Sequence, residues 1–503
     1  MILIEAASRF ETLAQAWATV WRSAETGPLP ALTDGTQTLS YGELDRVTTQ
    51  LADGFSSRGI AQGSAVAVTM ERSLDALLVV LAAVRAGLCP CVFEPGLATV
   101  ELAARLSMID ARWIVHDGAQ PSFALPTEKA EEQFTAIPFD TLATDGRGTD
   151  EDAVDPATRA LLLFTSGSTG RPKAVQLTQF ALLNNALGVI EHSNLSSSDR
   201  LLHTMPIYHT NGLNNQLFAP LLAGATIVLA GRFRASEMPE LLARHRPTII
   251  TGVPTTYSRM LDQRFDRECL ASLRMARCGS APITTELHTQ VEALLGCELV
   301  VSYGLSEATC TSVMNPPGAR RIGSIGTVLR GQRVRLREVV GRMTAEAGTE
   351  GEICISGPTL MIGYLGAQEE SALALSDGWL RTGDLGRFDA DGYLYITGRI
   401  KDVIIRGGEN LSPAQIESAV MADRRVAACC VVRQMHRDLG EVPAAFVVLK
   451  PGAQMSEDEA RDAVLQRLSR IYIPERVIFV ESLPETAVGK IDRKALSASL
   501  LPS

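Results

Sequence analysis

Thr165-Ser166-Gly167-Ser168-Thr169-Gly170-Arg171-Pro172-Lys173 is a run of small hydroxyls, glycines and a lysine, placed directly after the apolar run Ala160-Leu161-Leu162-Leu163-Phe164. The apolar run reads as a buried strand. Glycines let backbone N–H groups approach phosphate oxygens closely, and hydroxyls and a lysine add further donors. The loop therefore suits a nucleoside triphosphate rather than a dinucleotide. It is not a Gly-Lys-Ser/Thr phosphate loop, because Pro172 precedes Lys173 and Ala174 follows it. The same composition also fits an ordinary flexible connection.

Further short motifs carry groups with chemistry: Tyr303-Gly304-Leu305-Ser306-Glu307, Thr382-Gly383-Asp384, Gly398-Arg399-Ile400-Lys401-Asp402, Gly407-Gly408-Glu409-Asn410 and, near the C-terminus, Gly489-Lys490. A carboxylate such as Glu307 offers oxygen to a hard cation, or caps a helix. The ring of Tyr303 can stack on a base, or pack in a core. Asp384 is acceptor-only when ionised, which suits paired ribose hydroxyls, and equally a turn. In this order, from about Ser40-Tyr41-Gly42-Glu43-Leu44 to Lys494, the motifs resemble those of the adenylate-forming superfamily. That superfamily includes acyl-CoA synthetases, adenylation domains of peptide synthetases and beetle luciferases. The motifs are most similar to those of acyl-CoA ligases.

The resemblance implies a role for each residue. Thr165, Ser166, Gly167, Ser168, Thr169, Gly170 and Lys173 would hold the phosphates of ATP, and Glu307 would bind magnesium. Gly279, Ser280, Ala281, Tyr303 and Gly304 would surround the adenine, Asp384 would take the ribose, and Arg399 the ribose or a phosphate. Ser306 stands where the family more often has threonine, and either hydroxyl can donate to the α-phosphate. Lys490 resembles the catalytic lysine that bridges carboxylate and phosphate oxygens, although a lysine near a C-terminus is otherwise a solvated charge. Lys401 would be the hinge on which a small domain swings, and Gly408 would line a pantetheine tunnel, a segment that also reads as a hairpin turn. Met205-Pro206-Ile207-Tyr208-His209-Thr210-Asn211-Gly212 resembles the acyl-pocket motif. There His209 would line the carboxylate end, with Asn211, Val253 and Gly304 as further walls. Asn211, Asn214 and Asn215 suggest a partly polar pocket or a hydrogen-bonded helix start. No aspartate stands in this region to hold a substrate ammonium, which disfavours an amino acid. The chain departs from the family at Glu485, where arginine is common, and at Ile473, where lysine often precedes the proline.

These groups need rigid elements to position them. The 503 residues, 46% of them hydrophobic and 21% charged, allow two to four domains with ample cores. Strand-like and helix-like segments alternate: Ser64 to Met70, then Leu74 to Arg85 as a helix, then Ala225 to Ala230 and Pro247 to Thr251 as strands. Such alternation predicts an α/β fold of layered, largely parallel sheets. Glu128 to Asp155 reads as an exposed polar connection. A composition shift follows the turn Asp389 to Tyr393 and the short strand Tyr395 to Thr397, and from Val403-Ile404-Ile405 onward the chain has its own α/β pattern, with strands over Val426 to Val432 and Ala444 to Leu449 and an amphipathic helix over Ser456 to Ile471. The expected organisation is a large N-terminal domain over residues 1–398, a hinge over 399–402 and a small mobile α+β domain over 403–503.

The net charge of −10 argues against a nucleic-acid partner. The longest apolar stretch, Ala76 to Val84, is too short to span a membrane and reads as a core helix. Met1-Ile2-Leu3-Ile4 lacks the features of a signal peptide, and nine scattered cysteines suggest reduced thiols in a cytoplasmic protein. The expectation is an ATP- and magnesium-dependent ligase that joins a carboxylic acid to coenzyme A through an acyl-adenylate. No internal thiol or carrier domain serves as acceptor, so the acceptor is external. Two other readings stay open: an acyl-AMP ligase that loads a carrier protein, and a non-catalytic nucleotide or acyl sensor. The identity of the acid and the oligomeric state are not legible.

Overall fold

The structure, a computed structural model of the chain, describes residues 9–118, 134–144, 148, 150–166, 172–231, 233–338, 341–407, 409–486 and 490–500. Gly167, Ser168, Thr169 and Gly170 of the phosphate motif, Gly408, Gly489 and Met1-Ile2-Leu3-Ile4 lie outside the described residues. The chain divides into two compact units. One comprises Met1–Ser280, Glu286–Val334 and Ile355–Arg381; the other comprises Ala281–Thr285, Arg335–Cys354 and Thr382–Ser503.

The first unit contains two layered, largely parallel sheets, as the alternating pattern predicts, with antiparallel strands at one edge of the seven-stranded sheet and at both edges of the nine-stranded one. In the seven-stranded sheet the order is Gly363–Tyr364, Pro172–Thr178, Arg159–Ser166, Cys89–Val92, Ala65–Val68, Trp113–His116 and Thr135–Pro138. The helix expected after the strand at Ala65–Val68 is found at Leu74–Arg85, capped by Ser73, whose hydroxyl accepts from Ala76 N at 3.2 Å. All its residues but Asp75 are buried. A helix apolar on every side belongs inside a core, and each buried Leu or Val adds roughly 1.5–3 kcal/mol. Arg85 ends this helix fully buried, held by Asp45 at 2.8 Å and by Glu151.

The expected exposed connection from Glu128 to Asp155 is not all connection. It contains the strand Thr135–Pro138, which pairs parallel with Trp113–His116 and buries Ile137. One apolar side chain in a polar setting was too weak a signal for a strand whose hydrogen bonds go to a sheet edge.

The nine-stranded sheet positions most of the functional motifs. Its order is Thr327–Val328, Val313–Met314, Glu298–Tyr303, Met275–Cys278, Ile249–Gly252, Arg200–His203, Thr226–Leu229, Pro30–Thr33 and Thr38–Ser40. The strands from Glu298–Tyr303 to Pro30–Thr33 run parallel. Their carboxyl ends therefore lie along one edge of the sheet, which is where ligands bind in open parallel sheets.

The second unit carries the sheet Glu409–Leu411, Ile404–Arg406, Gly440–Leu449 and Val426–His436, with Arg476–Phe479 added parallel to Gly440–Leu449. Ile404, Ile416, Val431, Ala445 and Val464 build its core. The helix expected over Ser456 to Ile471 is shorter. Ser456 caps it in a reciprocal capping box with Glu459, and it ends at Leu465. The polar run Gln466-Arg467 interrupts the apolar period, and a separate turn follows at Arg470–Tyr472. A six-stranded sheet contains Glu350–Ser356 and Trp379–Phe388, with Leu394–Arg399 paired to the latter.

Candidate active site

Four motifs converge at the carboxyl edge of the nine-stranded sheet. Ile249–Gly252 leads into Val253, Met275–Cys278 into Gly279 and Ser280, Glu298–Tyr303 into Gly304, and Arg200–His203 into the segment that carries His209. The chain comes very close to itself here. A Cβ on Gly304 would stand 1.7 Å from the Cys310 carbonyl oxygen, and one on Gly212 would stand 2.0 Å from the Pro206 oxygen. Gly279 has less constraint, its nearest neighbour being Ser302 Oγ at 3.0 Å. Ser280 adopts φ +67°, a left-handed conformation uncommon for a residue with a side chain. Ala281 follows it and belongs to the second unit.

After Tyr303 and Gly304 comes a one-turn helix, Ser306–Ala308, that presents Glu307. Thr309 has φ +70° and ψ −48°, and Cys310 N donates to Ala308 O at 2.9 Å. This is a γ-turn centred on a β-branched residue, a strained conformation costing of order 1–3 kcal/mol. Its hydroxyl donates to Thr359 O at 2.7 Å, which ties the turn down. Tyr364 Oη donates to Glu307 Oε1 at 2.8 Å, and Met361 N donates to the Glu307 carbonyl at 2.8 Å. Burial, then the neighbouring Glu307 carboxylate, push the Tyr364 phenol well above its ordinary value, so it stays a donor. Lys173 Nζ lies 4.7 Å from the centre of the same ring. Tyr364 thus connects Glu307 with the lysine of the phosphate motif. Thr165 and Lys173 are directly paired across the hairpin formed by Arg159–Ser166 and Pro172–Thr178.

His209 is half-buried, with its ring 4.6 Å from that of Tyr208. Asn211 begins a π-helix, Asn211–Phe218, and all its residues are buried. Wide helical turns of this kind are often found at functional sites. Asn214 and Asn215 belong to a buried hydrogen-bonded network at the start of this helix, the second of the two readings of the motif. Asn214 Nδ2 donates to Asn185 Oδ1, and Asn215 Nδ2 donates to Thr311 Oγ1 at 3.0 Å. Asn185 and Gln332 both donate to the Thr311 carbonyl, at 2.7 and 2.9 Å. Val253 is buried just before Pro254 opens a helix, and its N–H donates to Thr256 Oγ1 at 3.2 Å.

In the second unit, Asp384 and Arg399 face each other on paired strands, with Arg399 Nε donating to Asp384 Oδ1. Thr382 Oγ1 accepts from Asp384 N at 3.1 Å and donates to Ile353 O at 2.7 Å. Gly383, at φ +73°, donates to buried Glu352 at 3.2 Å. Lys490 belongs to the same unit. Thr486 N donates to Lys490 O at 2.7 Å and Glu485 bridges to Ile491, which fixes the backbone of the lysine. Its side chain is solvent-accessible, yet desolvation draws its pKa below the ordinary lysine value; Arg399 acts in the same direction and Asp384 opposes them. Arg493, three residues on, is held by Glu417 at 2.8 Å and by the Val431 carbonyl at 2.6 Å. Lys401 lies in the turn after Arg399, where Val403 N donates back to Arg399 O at 3.1 Å. Gly407 has φ +58° at the tip of the hairpin that pairs Arg406 with Glu409.

Sequence reasoning missed Tyr364, which has no local signal and reaches Glu307 only through the fold. It also missed Arg277, a buried cation on Met275–Cys278, whose signal was legible as a charge inside an apolar strand.

Residues 20–365 match the AMP-binding enzyme family and residues 415–490 match the C-terminal domain of AMP-binding enzymes. The chain belongs to the AMP-binding enzyme family. It is 33% identical to the sulfoacetate–CoA ligase of Cupriavidus necator, with 97% of each chain covered. It is 33% identical to the indoleacetate–CoA ligase of Aromatoleum aromaticum, over 90% of this chain and 91% of that one. The fold is similar to ATP-bound MatB from Rhodopseudomonas palustris, with a TM-score of 0.87, 30% identity and coverage of 97% and 98%. The resemblance read from the motifs and the mixed α/β fold with a large and a smaller domain are thereby borne out. Among the described residues, no helix is long and apolar enough to cross a membrane. Among the described residues no cysteine is in a disulfide, and eight of the nine are buried.

Proposed function

We propose that this member of the AMP-binding enzyme family is an AMP-forming carboxylate–CoA ligase and that its residues divide the reaction as follows. In the first step a carboxylate oxygen of the substrate attacks the α-phosphorus of ATP, and the bond to the bridging oxygen breaks. Acyl-adenylate forms and pyrophosphate leaves. In the second step the sulfur of coenzyme A attacks the acyl carbon, releasing AMP and giving the thioester.

Tyr303, Gly279 and Ser280 are assigned to the adenine, with Ala281 beside them. Gly304 lets the chain pass close enough to leave that surface open. Asp384 is assigned to the ribose hydroxyls, with Arg399 directing its carboxylate. Thr165, Ser166 and Lys173, together with the loop between them, are assigned to the phosphates, and Ser306 to the α-phosphate. Tyr364 holds Glu307 by a hydrogen bond to a charged acceptor, an interaction worth roughly 1.5–3 kcal/mol. Among the described residues there is no cluster of three or more His, Cys, Asp or Glu side chains able to hold a metal ion. A single carboxylate fits magnesium, which is commonly held by one or two carboxylates plus substrate phosphates. When bound, magnesium would neutralise phosphate charge; Glu307 is the residue that would hold it.

Lys490 is assigned to the oxygens that gain charge in the first step, His209 and Asn211 to the mouth of the acyl pocket, Val253 to its wall and Gly408 to the path of the thiol. A hinge at Lys401 would let the segment carrying Lys490 move away between steps. Nine free cysteines agree with a cytoplasmic setting.

The convergence of Gly252-Val253, Gly279-Ser280, Tyr303-Gly304 and the His209 segment on one carboxyl edge carries this reading. Incubation with a carboxylic acid panel, ATP, magnesium and coenzyme A tests it. Acid-dependent appearance of AMP, pyrophosphate and acyl-CoA is expected. Acyl-adenylate accumulating without thioester would instead indicate a carrier-protein acceptor. Nucleotide binding without pyrophosphate exchange would indicate a sensor.

A further inference from the structure

Arg277 is only 2% exposed, yet among the described residues it has no carboxylate partner. Its guanidinium donates to Ser193 Oγ at 2.8 Å and to Asn215 O at 3.4 Å, both neutral acceptors, and its Nε has no partner. Asp199 is the acid near it, and Arg274 already occupies that carboxylate at 2.6 and 2.8 Å. Two guanidiniums and one carboxylate leave one positive charge in excess. Burial and Arg274 together pull the Arg277 pKa down to about 10, so the guanidinium remains charged at neutral pH. A buried, uncompensated cation is costly, and such groups usually mark a site that supplies the missing charge.

Other unsatisfied groups lie beside it. Thr251 is the cross-strand neighbour of Arg277 in parallel register, so both side chains project from the same face of the sheet. Thr251 Oγ1 is buried without a partner. Thr204 joins Thr251 to Gln216: its hydroxyl donates to Thr251 O at 3.1 Å and its N–H donates to Gln216 Oε1 at 3.1 Å. Gln216 Nε2 is likewise buried without a partner. Arg277 Nε and Gln216 Nε2 are both donors, and the Thr251 hydroxyl can act as one. Gln216 and Asn215 belong to the π-helix that begins at Asn211, in the segment assigned to the acyl group. Cys310 also connects the two regions, hydrogen-bonded to Thr210 and within the field of Arg277.

We propose that Arg277, with Gln216 and Thr251, receives a second, anionic oxygen group of the substrate, so that the acid activated carries a charged acceptor distant from the reacting carboxylate. This inference rests on the ligase reading above and narrows its substrate class. The excess positive charge selects an anionic group over a neutral one, and the surplus of donors selects oxygen acceptors.

The test uses the full chain with ATP, magnesium and coenzyme A, and matched acids: succinate against butyrate, glutarate against pentanoate, adipate against hexanoate. In at least one pair the diacid should show a kcat/KM about a hundredfold above its monoacid, the size expected when a buried polar site rejects an analogue that leaves it unpaired. Arg277→Met should remove that preference, with the diacid losing its advantage and the monoacid changing little. Preference for every monoacid, or an equal loss on both members of a pair in Arg277→Met, would overturn the proposal and leave Arg277 as a structural cation solvated by buried water. Gln216→Leu provides a second variant if Arg277→Met does not fold, and should also lower the diacid selectively. Should no acid be turned over, the ligase reading fails first. Heat protection of the unmodified chain by the same pairs then decides the site: diacids alone raising Tm would sustain it, and equal or absent shifts would overturn it.

Discussion

Replacing Gly304 by alanine tests whether the strand end assigned to adenine and the Glu307 turn form one rigid piece. A Cβ at this position would lie 1.7 Å from Cys310 O, 2.6 Å from Cys310 C and 2.8 Å from Thr311 Cα. Carbon and carbonyl oxygen approach no closer than about 3.3 Å even in weak C–H···O contacts, so something must move by roughly 1.6 Å. The obstructing atoms are backbone and cannot rotate away. Cys310 closes the strained turn at Thr309, which directly follows Glu307, while Gly304 directly follows Tyr303. The shift therefore falls between the residue assigned to adenine and the one assigned to the metal. Overpacking of this kind costs about 1–3 kcal/mol of stability, and a displacement of about 1 Å can cost ~10²-fold in rate. Acid-dependent ATP–pyrophosphate exchange, read beside thermal unfolding, should show Gly304→Ala folded at low temperature and slowed by at least ~10²-fold. Gly231→Ala is the control, since a Cβ there meets nothing within 4 Å. Exchange by Gly304→Ala within a few-fold of the unmodified chain would refute the reasoning.

Four further outcomes follow from the same geometry. Lys490→Ala should lose ~10²–10³ in the adenylation half-reaction, as for removal of one preorganised donor, and still convert a supplied acyl-adenylate to thioester; equal loss of both would contradict the assignment. The role assigned to Lys490 needs a protonated donor and its pKa lies below the ordinary lysine value of about 10.4, so adenylation should fall as pH rises through that lowered pKa. The alkaline fall should be absent from thioester formation with supplied acyl-adenylate, and Lys490→Arg should move it out of range. Tyr364→Phe removes the phenol donor from Glu307 and should raise the magnesium concentration needed for half-maximal exchange by about tenfold, corresponding to the lower end of the energy of a hydrogen bond to a charged group. Arg85→Met leaves buried Glu151 and its neighbour Asp45 with Arg22 alone and should lower unfolding free energy by about 3 kcal/mol, measurable in urea.

The periodic signals of the chain were local, and the local structure followed them. The helix at Leu74–Arg85 was legible because its apolar run follows a strand-like segment and ends at Arg85; the hairpin of the phosphate motif lay beyond that reach because its register depends on pairing. The motifs at Gly279, Tyr303 and the His209 segment were read separately, since nothing in one dimension says that parallel pairing brings their strand ends to one edge. Tyr364 shows the limit most clearly. It meets Glu307 from 57 residues away, and its role exists only once Gly363–Tyr364 pairs with Pro172–Thr178. Asn214 and Asn215 show what stays hidden even then: of the two readings, a partly polar pocket or a hydrogen-bonded helix start, the structure has the hydrogen-bonded start of a π-helix, but the partners, Asn185 and Thr311, are distant in sequence. The strand Thr135–Pro138 went unread because its polar setting outweighed one buried side chain, and the early end of the helix at Leu465 because Leu468 and Ile471 continue the apolar period past the polar run Gln466-Arg467.

The central claim is that the chain makes an acyl-adenylate and passes the acyl group to coenzyme A. Rapid-quench analysis with a turned-over acid and ATP, with and without coenzyme A, measures this most directly. The account predicts acyl-adenylate and pyrophosphate in the first incubation period without coenzyme A, then acyl-CoA and AMP in equal amounts when it is added. Formation of ADP and phosphate, or thioester formed with no adenylate at any time, would contradict it.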